Sequence, residues 1–458
     1  MFCDDIAAIS TPPGEGGIAI VRLSGPEVIT KIAVIFKPYQ KEKNVSMQPG
    51  YTMHLGWLLD EKGDMIDEVL ISIMKEPHSY TGENVVEINC HGGMLPARRC
   101  LEAVLEQKIR LAEPGEFTRR AFLNGRLDVN QAEAVIEIIR AKSEKALKLA
   151  IKQLYGHNTQ QMKNLEEQLL GVIAQIQASI DFPDEAGEVN YIEVTNLLSE
   201  LERSIENILL ASQRAEVYRQ GINIAIIGKP NVGKSSLLNA LLKKNRAIVT
   251  DIPGTTRDII EDYITIAGIP VKLIDTAGIR VTDDTVERLG VEKAEEVINS
   301  ADLVIWMLDF VTGITEQDME IFQRINGKKR IVLVNKEDLE LNISEEELQN
   351  LFPGDIIIKA SVKEETGLND LTKCITDMAL SGEVNQDNME MMLNLRQKKA
   401  FSKAQRHINE ARRVLADTPL ECVAVDLGIA LEALGELTGK NIKDEIIDRI
   451  FHDFCIGK

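Results

Sequence analysis

Ile222-Asn223-Ile224-Ala225-Ile226-Ile227 runs directly into Gly228-Lys229-Pro230-Asn231-Val232-Gly233-Lys234-Ser235. The short apolar, β-branched run predicts a strand, the glycine-bounded segment a turn, and a helix starts at Lys234. The backbone N–H groups of such a loop and the helix N-terminus form an anion cradle. Lys234 reaches the β- and γ-phosphates of a nucleoside triphosphate, and the Ser235 hydroxyl ligates Mg²⁺. The predicted nucleotide contacts here are Asn231, Val232, Gly233, Lys234, Ser235 and Ser236. Alone, the segment specifies a triphosphate and leaves the base open.

Downstream segments narrow the choice. Val271-Lys272-Leu273-Ile274 precedes Asp275-Thr276-Ala277-Gly278. A carboxylate at a strand end holds Mg²⁺ through water, and the glycine lets a backbone amide approach the γ-phosphate. Ile331-Val332-Leu333-Val334 precedes Asn335-Lys336-Glu337-Asp338. In a Ras-like arrangement the carboxylate at Asp338 accepts from guanine N1 and N2, a donor pair adenine lacks, which favours GTP. Asn335 and Lys336 support and cover the base. Between these segments, Thr250-Asp251-Ile252-Pro253-Gly254-Thr255-Thr256-Arg257-Asp258 reads as a switch loop, with Thr256 as the second Mg²⁺ hydroxyl. Ser361-Val362-Lys363 departs from the usual Ser-Ala-Lys; its base contact is a backbone N–H, which tolerates Val.

A chain of 458 residues holds about two to four domains. Its 44% hydrophobic content suffices for packed cores, and its formal charge of −20 repels nucleic acid in general. RNA contact then requires a local basic patch or a basic partner, and no DNA or membrane partner is expected. The Met1-Phe2-Cys3-Asp4-Asp5 start is acidic, and no apolar run approaches the roughly 20 residues that span a bilayer. Cys3, Cys90, Cys100, Cys374, Cys422 and Cys455 lack CxxC spacing, which points to reduced thiols in the cytoplasm.

Residues 1–118 read as a turn-rich, short-stranded α+β domain, with strands at Ile18–Val21, Val69–Ile73 and Val85–Asn89 and a helix near Leu95–Gln107. From an Asp128/Gln131 capping box the chain turns helical, with weak points at Gly156 and Gly171. A second helix is predicted over Ile192–Arg219, and further ones over Asp387–Leu415, Leu420–Leu437 and Ile442–Phe451. The segment 219–381 alternates strands and helices as a doubly wound parallel sheet does. It divides a helical domain into residues 119–218 and 382–458. The expected fold class is therefore multidomain: an N-terminal α+β domain, a central helical domain, and an inserted Ras-like doubly wound G domain.

Hydrolysis needs an oriented water. Ile279 stands where many Ras-like proteins place a Gln, and Ile cannot hydrogen-bond water. Glu287 has two readings: it orients the water from a switch segment, or it starts a helix and favours the dipole. No arginine finger is assignable by spacing: Arg257 and Arg280 sit in switch segments, where each also reads as a solvated charge. Asn231 either forms a turn or helps hold a monovalent cation against the phosphates, in place of a guanidinium.

Beyond these motifs, Ile9-Ser10-Thr11-Pro12-Pro13-Gly14-Glu15-Gly16-Gly17, Ser79-Tyr80-Thr81-Gly82-Glu83-Asn84 and Cys90-His91-Gly92-Gly93 are distinctive. So are Pro114-Gly115-Glu116-Phe117-Thr118, Arg120-Ala121-Phe122-Leu123-Asn124-Gly125, Gln131-Ala132-Glu133-Ala134 and Phe454-Cys455-Ile456-Gly457-Lys458. Over essentially its whole length the chain resembles the MnmE (TrmE) family of tRNA-modifying GTPases. The resemblance implies a folate-binding-like N-terminal domain that forms a homodimer, and a flavoprotein partner, MnmG. It implies aminomethyl or carboxymethylaminomethyl groups placed on C5 of the wobble uridine of certain tRNAs, with a tetrahydrofolate derivative (5-formyl or 5,10-methylene type) as one-carbon source. It implies potassium held by Asn231, Thr250, Ile252 and Thr255, Mg²⁺ on Ser235 and Thr256, and Glu287 orienting water.

The resemblance also implies folate contacts at Arg22, Glu87, Arg126 and Lys458. A carboxylate such as Glu87 suits a pterin N–H pair, and the basic groups suit its oxygen or glutamate tail. Taken singly, Arg22 reads as a strand-edge charge, Arg126 as a helix-start charge and Lys458 as a terminus. Cys455 reads as a nucleophile toward uracil C6 or as a packed thiol between Phe454 and Ile456. Two other functions fit parts of the pattern: a ribosome-assembly GTPase, which would lack the Thr11–Gly14 region and the Cys-Ile-Gly-Lys end, and a nucleotide-gated scaffold, which has no use for a pterin pocket.

Overall fold

The computed structural model describes residues 4–40, 44–187, 189–245, 263–275, 295–309, 311–339, 344–380, 391–440, 444–452, 454 and 456–458. The N-terminal part builds a seven-stranded sheet from β1 (Ile6–Ile9), β2 (Ile18–Ser24), β3 (Phe36–Pro38), β4 (Thr52–Leu59), β5 (Met65–Met74), β6 (Val85–His91) and β7 (Arg110–Leu111). Their order is β3-β4-β5-β6-β2-β1-β7, and only the β1–β7 pair is parallel. Strand side chains alternate between faces. Val21 and Leu23 of β2, Ile71 and Ile73 of β5, and Val86 and Ile88 of β6 therefore share one buried core with the helices Val28–Ile35 and Met94–Glu106. The same alternation turns Arg22 and Glu87, directly opposed in register, to the other face. There the helix Glu116–Leu123 inserts Phe117 beside Ile6 and Ala8. The strands are longer than expected: β5 has ten residues, because Asp67 and Glu68 interrupt its apolar signal without ending the ladder.

Helices follow at Val129–Arg140, Glu144–Leu154, His157–Asp181 and Tyr191–Gln220. The Asp128/Gln131 capping box starts the first. Gly156, at φ 85°, separates the second from the third. Gly171 was expected to be a weak point, yet it lies within the uninterrupted helix His157–Asp181. A missing side chain costs only about 1 kcal/mol in a helix whose other face is buried. Ser143 supplies a break the periodicity did not signal, capping the Ala146 N–H through its hydroxyl. After the second sheet come Leu395–Val414, Leu420–Thr438 and Asp444–His452. The first of these begins at an Asn394/Gln397 capping box rather than at Asp387, which lies outside the described residues.

Helices from before and after the second sheet pack one core. Met162, Leu169, Ile176, Leu198 and Ile205 meet Phe401, Ile408, Leu427 and Leu434, all fully buried. Polar bonds close the same seam. Gln397 donates to Asn130 and Glu133, and Arg396 forks onto Glu133 at 3.0 Å through both Nε and Nη2.

The second sheet has the order β13-β12-β11-β8-β10-β9, from β8 (Ile222–Gly228), β9 (Tyr263–Ile266), β10 (Ile269–Asp275), β11 (Leu303–Asp309), β12 (Arg330–Asn335) and β13 (Ile356–Ala360). It is not wholly parallel as expected. β9 pairs antiparallel with β10 across the Ala267–Gly268 turn, whose residues sit at φ 50° and 85°. Two successive positive φ values give the tight hairpin turn that matches strand twist. The other pairs are parallel, and apolar cores cover both faces. β11 is buried at every position, as a central parallel strand should be.

Candidate functional site

β8 lies between β10 on one side and β11 on the other, so the strand order reverses there. Open α/β sheets bind ligands at the carboxyl ends of strands at such a reversal. The loop 228–233 leaves β8 at that point and enters the helix Lys234–Asn245. Gly233 adopts φ 104°, and a Cβ there would sit 2.5 Å from Asn335 Nδ2, so only glycine lets the loop close on β12. Asn231 adopts φ 65° with its residue exposed; the turn geometry that Asn tolerates is therefore present. Lys234 is buried, and its ammonium donates to the Gly228 and Lys229 carbonyls at 2.7 Å each. Ser235 and Ser236 are exposed in the first turn of the helix, while Val232 anchors the loop in the core. Glycine-dependent closure and a held ammonium make a cradle whose donors suit phosphate and whose Ser235 hydroxyl suits Mg²⁺.

The loop is braced from both sides. On one side Lys229 pairs with Asp318 at 2.7 Å, under the Thr315/Asp318 capping box of the helix Glu316–Arg324. On the other, Asn335 Nδ2 donates to the Val232 carbonyl at 2.8 Å, and its Oδ1 accepts the Val362 N–H at 3.0 Å. Asn335 thus ties three loops together. Val362 packs its side chain into the core and gives its N–H to Asn335. The Val substitution is therefore accommodated by burial.

Ser361 Oγ donates to Asp338 Oδ1 at 2.6 Å and accepts the Glu364 N–H. That hydroxyl holds the Asp338 carboxyl below its ordinary range. Ser361 is itself fixed by Thr366, whose N–H donates to the Ser361 carbonyl at 3.1 Å and whose hydroxyl accepts the Ser361 N–H at 3.2 Å. Lys336, at φ 69°, reaches back to Asp309 at 2.6 Å. Burial would raise the Asp309 pKa, but the Lys336 ammonium and the Val311 and Thr312 amides outweigh it and lower it. Asp309 and Asp318 were absent from the sequence reading. Asp309 ends the apolar run Leu303–Leu308 as Asp275 ends its own, and Thr315–Asp318 is a capping-box pattern, so both had a usable signal. Of Asp275, the backbone pairs with Ile226. Thr250, Asp251, Ile252, Pro253, Gly254, Thr255, Thr256, Thr276, Ala277, Gly278 and Glu287 lie outside the described residues.

A second cluster occupies the far face of the N-terminal sheet. Arg22 Nε donates to Glu87 Oε1 at 2.8 Å, and Nη1 to the Gly457 carbonyl at 3.3 Å. Ser10 Oγ donates to the same carbonyl at 2.9 Å. The Arg22 guanidinium lies 5.4 Å from the Tyr80 ring centroid and that of Arg126 lies 5.0 Å from it, so one aromatic ring holds two cations. Arg126 sits after the helix Glu116–Leu123 rather than at a helix start. The structure thus brings Arg22, Glu87 and Arg126 together beside Gly457–Lys458. Tyr80 and Ser10 join them; their strings were noted but given no role, since nothing in the linear sequence joins them to residue 457. Arg120, fully buried, binds Asp4, Glu83 and Glu116 and fixes the helix that carries Phe117. Cys455 lies outside the described residues; Phe454 before it is buried, and Ile456 after it is exposed. Ile456 lines an apolar groove of about 800 Å³ with Pro12, Pro13, Ile18, Met94 and Leu95.

Sheet order and loop geometry define a P-loop nucleotide-binding protein of the doubly wound class. Two family models match: the GTP-binding protein TrmE N-terminus over residues 5–126 and the MnmE helical domain over 129–455. The chain is 62% identical to a tRNA modification GTPase MnmE of Syntrophomonas wolfei, and 47% and 45% identical to those of Thermoanaerobacter pseudethanolicus and Desulforamulus reducens. In each case the match covers 100% of both chains. The chain belongs to the MnmE family of tRNA modification GTPases. Among the described residues no helix is long and apolar enough to cross a membrane.

Proposed function

We propose that this protein is a potassium-stimulated GTPase that modifies C5 of the wobble uridine of certain tRNAs, together with a flavoprotein partner of the MnmG type in the cytoplasm. The observation that carries the reading is the pairing of two sites in one chain: the Asn335–Asp338–Ser361 assembly beside the P-loop, and the Arg22–Glu87–Arg126 cluster beside Gly457. A GTPase that served only as a scaffold would have no need of the second. In the first site, Asp338 accepts guanine N1–H and N2–H, Asn335 holds the loops, and Lys336 covers the base. Lys234 releases its loop carbonyls to meet the β- and γ-phosphates. Ser235 and Thr256 hold Mg²⁺, which offsets phosphate charge when bound. Asn231, with Thr250, Ile252 and Thr255, holds potassium, and Glu287 orients the attacking water.

In the second site, Glu87 receives a pterin N–H pair while Arg22, Arg126 and Lys458 meet its oxygens or the glutamate tail of a tetrahydrofolate. The two guanidinium groups over Tyr80 support this, since cations held at a ring face suit a planar anionic ligand. Cys455, next in sequence to this C-terminal segment, is the candidate nucleophile toward uracil C6. The groove with exposed Met94 and Leu95 (72% and 70% exposed) supports docking of a second copy, giving a homodimer. The parts 1–118, 119–218, 219–381 and 382–458 act as the dimerisation and folate-binding domain, the first helical part, the G domain and the second helical part respectively.

The test is mass spectrometry of tRNA nucleosides from cells lacking the protein, with and without a plasmid copy. Loss of 5-aminomethyl-type wobble uridines, restored by the plasmid, is expected. An unchanged profile would refute the substrate while leaving GTP hydrolysis intact.

A further inference from the structure

The chain carries a formal charge of −20, so any polyanion it handles must meet a local surface of opposite sign. The helix Leu395–Val414 is the basic exception, with seven Lys and Arg against a single acid, Glu410. Three of the seven hold the helical bundle together. Arg396 pairs with Glu133, Lys398 with Glu216, and Arg412 with Glu202. The remaining four, Lys399, Lys403, Arg406 and Arg413, have no carboxylate partner among the described residues. Lys399, Arg406 and Arg413 are exposed and Lys403 is half-buried.

Their spacing aligns them. At 3.6 residues per turn, positions 399, 406 and 413 recur within about 40° of one another, and 403 extends the arc to about 80°. At about 1.5 Å per residue the row is about 21 Å long. The opposite face is apolar: Ala400, Phe401, Ala404, Ile408 and Ala411 are buried in the bundle core. Burial therefore fixes which way the row points. Glu410 lies within the arc, 3.3 Å from His407 Nδ1, and is the one charge opposing the rest. The acids of adjacent helices that pair with this helix are taken by other residues: Glu202 by Arg412, Glu216 by Lys398, and Asp426 by His407 at 3.0 Å.

We propose that this row docks the phosphate backbone of tRNA. The inference rests on the reading that the chain acts on tRNA, and adds where it does so. Guanidinium and ammonium groups with no carboxylate partner among the described residues suit phosphates (Arg406 meets only the neutral ring nitrogen of His407, at 3.2 Å), and a fixed row reads backbone shape rather than sequence. Affinity should therefore depend on salt, and on tRNA form more than on anticodon.

The experiment is binding of labelled tRNA to the full chain across a salt series, for wild type, for Lys399→Glu/Arg406→Glu/Arg413→Glu, and for Glu410→Lys. For the triple variant the affinity should fall roughly tenfold or more at low salt, and the slope of log K against log salt should fall by about two to three. Glu410→Lys, which turns the one opposing charge into a further cation and gives up only the approach to His407, should tighten binding and steepen the slope by about one. GTP hydrolysis should be unchanged in both. Unaltered affinity and slope in both variants would overturn the proposal. So would loss of co-elution with the flavoprotein at unchanged tRNA affinity, which would make the row a protein-docking face. A wild-type chain that binds no tRNA, alone or with the flavoprotein, would instead refute the tRNA reading itself.

Discussion

The nucleotide loops and the N-terminal charged cluster are built in opposite ways. The first draws its residues from short segments at the ends of parallel strands of one sheet, β8, β12 and β13, and Asn335 knits them with two hydrogen bonds. The second joins a cross-strand pair, Arg22 and Glu87, to a carbonyl 435 residues away. Parallel strands deliver their loops to one edge by topology, whatever the rest of the chain does. The N-terminal cluster depends on where the last residues come to rest. A fault in the first should therefore stay local, and a fault in the second should also loosen the C-terminus.

The largest effect is expected at Lys234. Replacing it with Ala should lower kcat for GTP by about 10²–10³, the scale of removing one preorganised donor to developing charge. Folate binding, followed by fluorescence titration, should be unchanged; a matching loss there would end the separation of the two sites. Next is Asp338→Asn. A hydrogen bond to a charged group contributes about 1.5–3 kcal/mol, so GTP affinity should fall roughly 10- to 100-fold. Xanthine presents a carbonyl where guanine has its amino group, so displacement by XTP should improve. Failure of that switch would remove Asp338 from the base.

Arg22→Ala sharpens the comparison from the other side. Folate affinity should fall roughly tenfold with GTP turnover intact. Limited proteolysis should also clip the C-terminal residues sooner, because the Gly457 carbonyl loses one of its two donors. Intact C-terminal protection would show that Ser10 alone suffices. The smallest effect is Asp309→Asn, expected to cost about 1 kcal/mol of stability, read as a lower Tm. The sign with pH is set by the lowered Asp309 carboxyl. Its contribution is full above the ordinary value of 3.8 and is lost as pH falls through the lower folded value. The wild-type and Asn melting curves should therefore converge in strong acid and stay apart from pH 5 to 8.

Local chemistry made much of this legible. The Asp128 cap and the strand-to-loop signals stand where read, because caps and turns are satisfied within a few residues. Gly171 and the antiparallel β9 were misread, because helix continuity and strand direction follow from what packs against them. Arg126 and Tyr80 gave no sign of sharing a ring-face contact, since nothing in their sequence neighbourhoods refers to the other.

The sequence by itself determined the order of the nucleotide motifs, the helix caps and the likeness to the MnmE family, because each is written in contiguous residues. Only the tertiary structure decided which side chains of the divided helical domain meet in one core, and that Gly457 closes over Arg22. It also decided which cations of the helix Leu395–Val414 keep no acidic partner among the described residues. Burial and pairing at a distance are properties of surfaces that exist only once the chain has folded, and no local pattern encodes them.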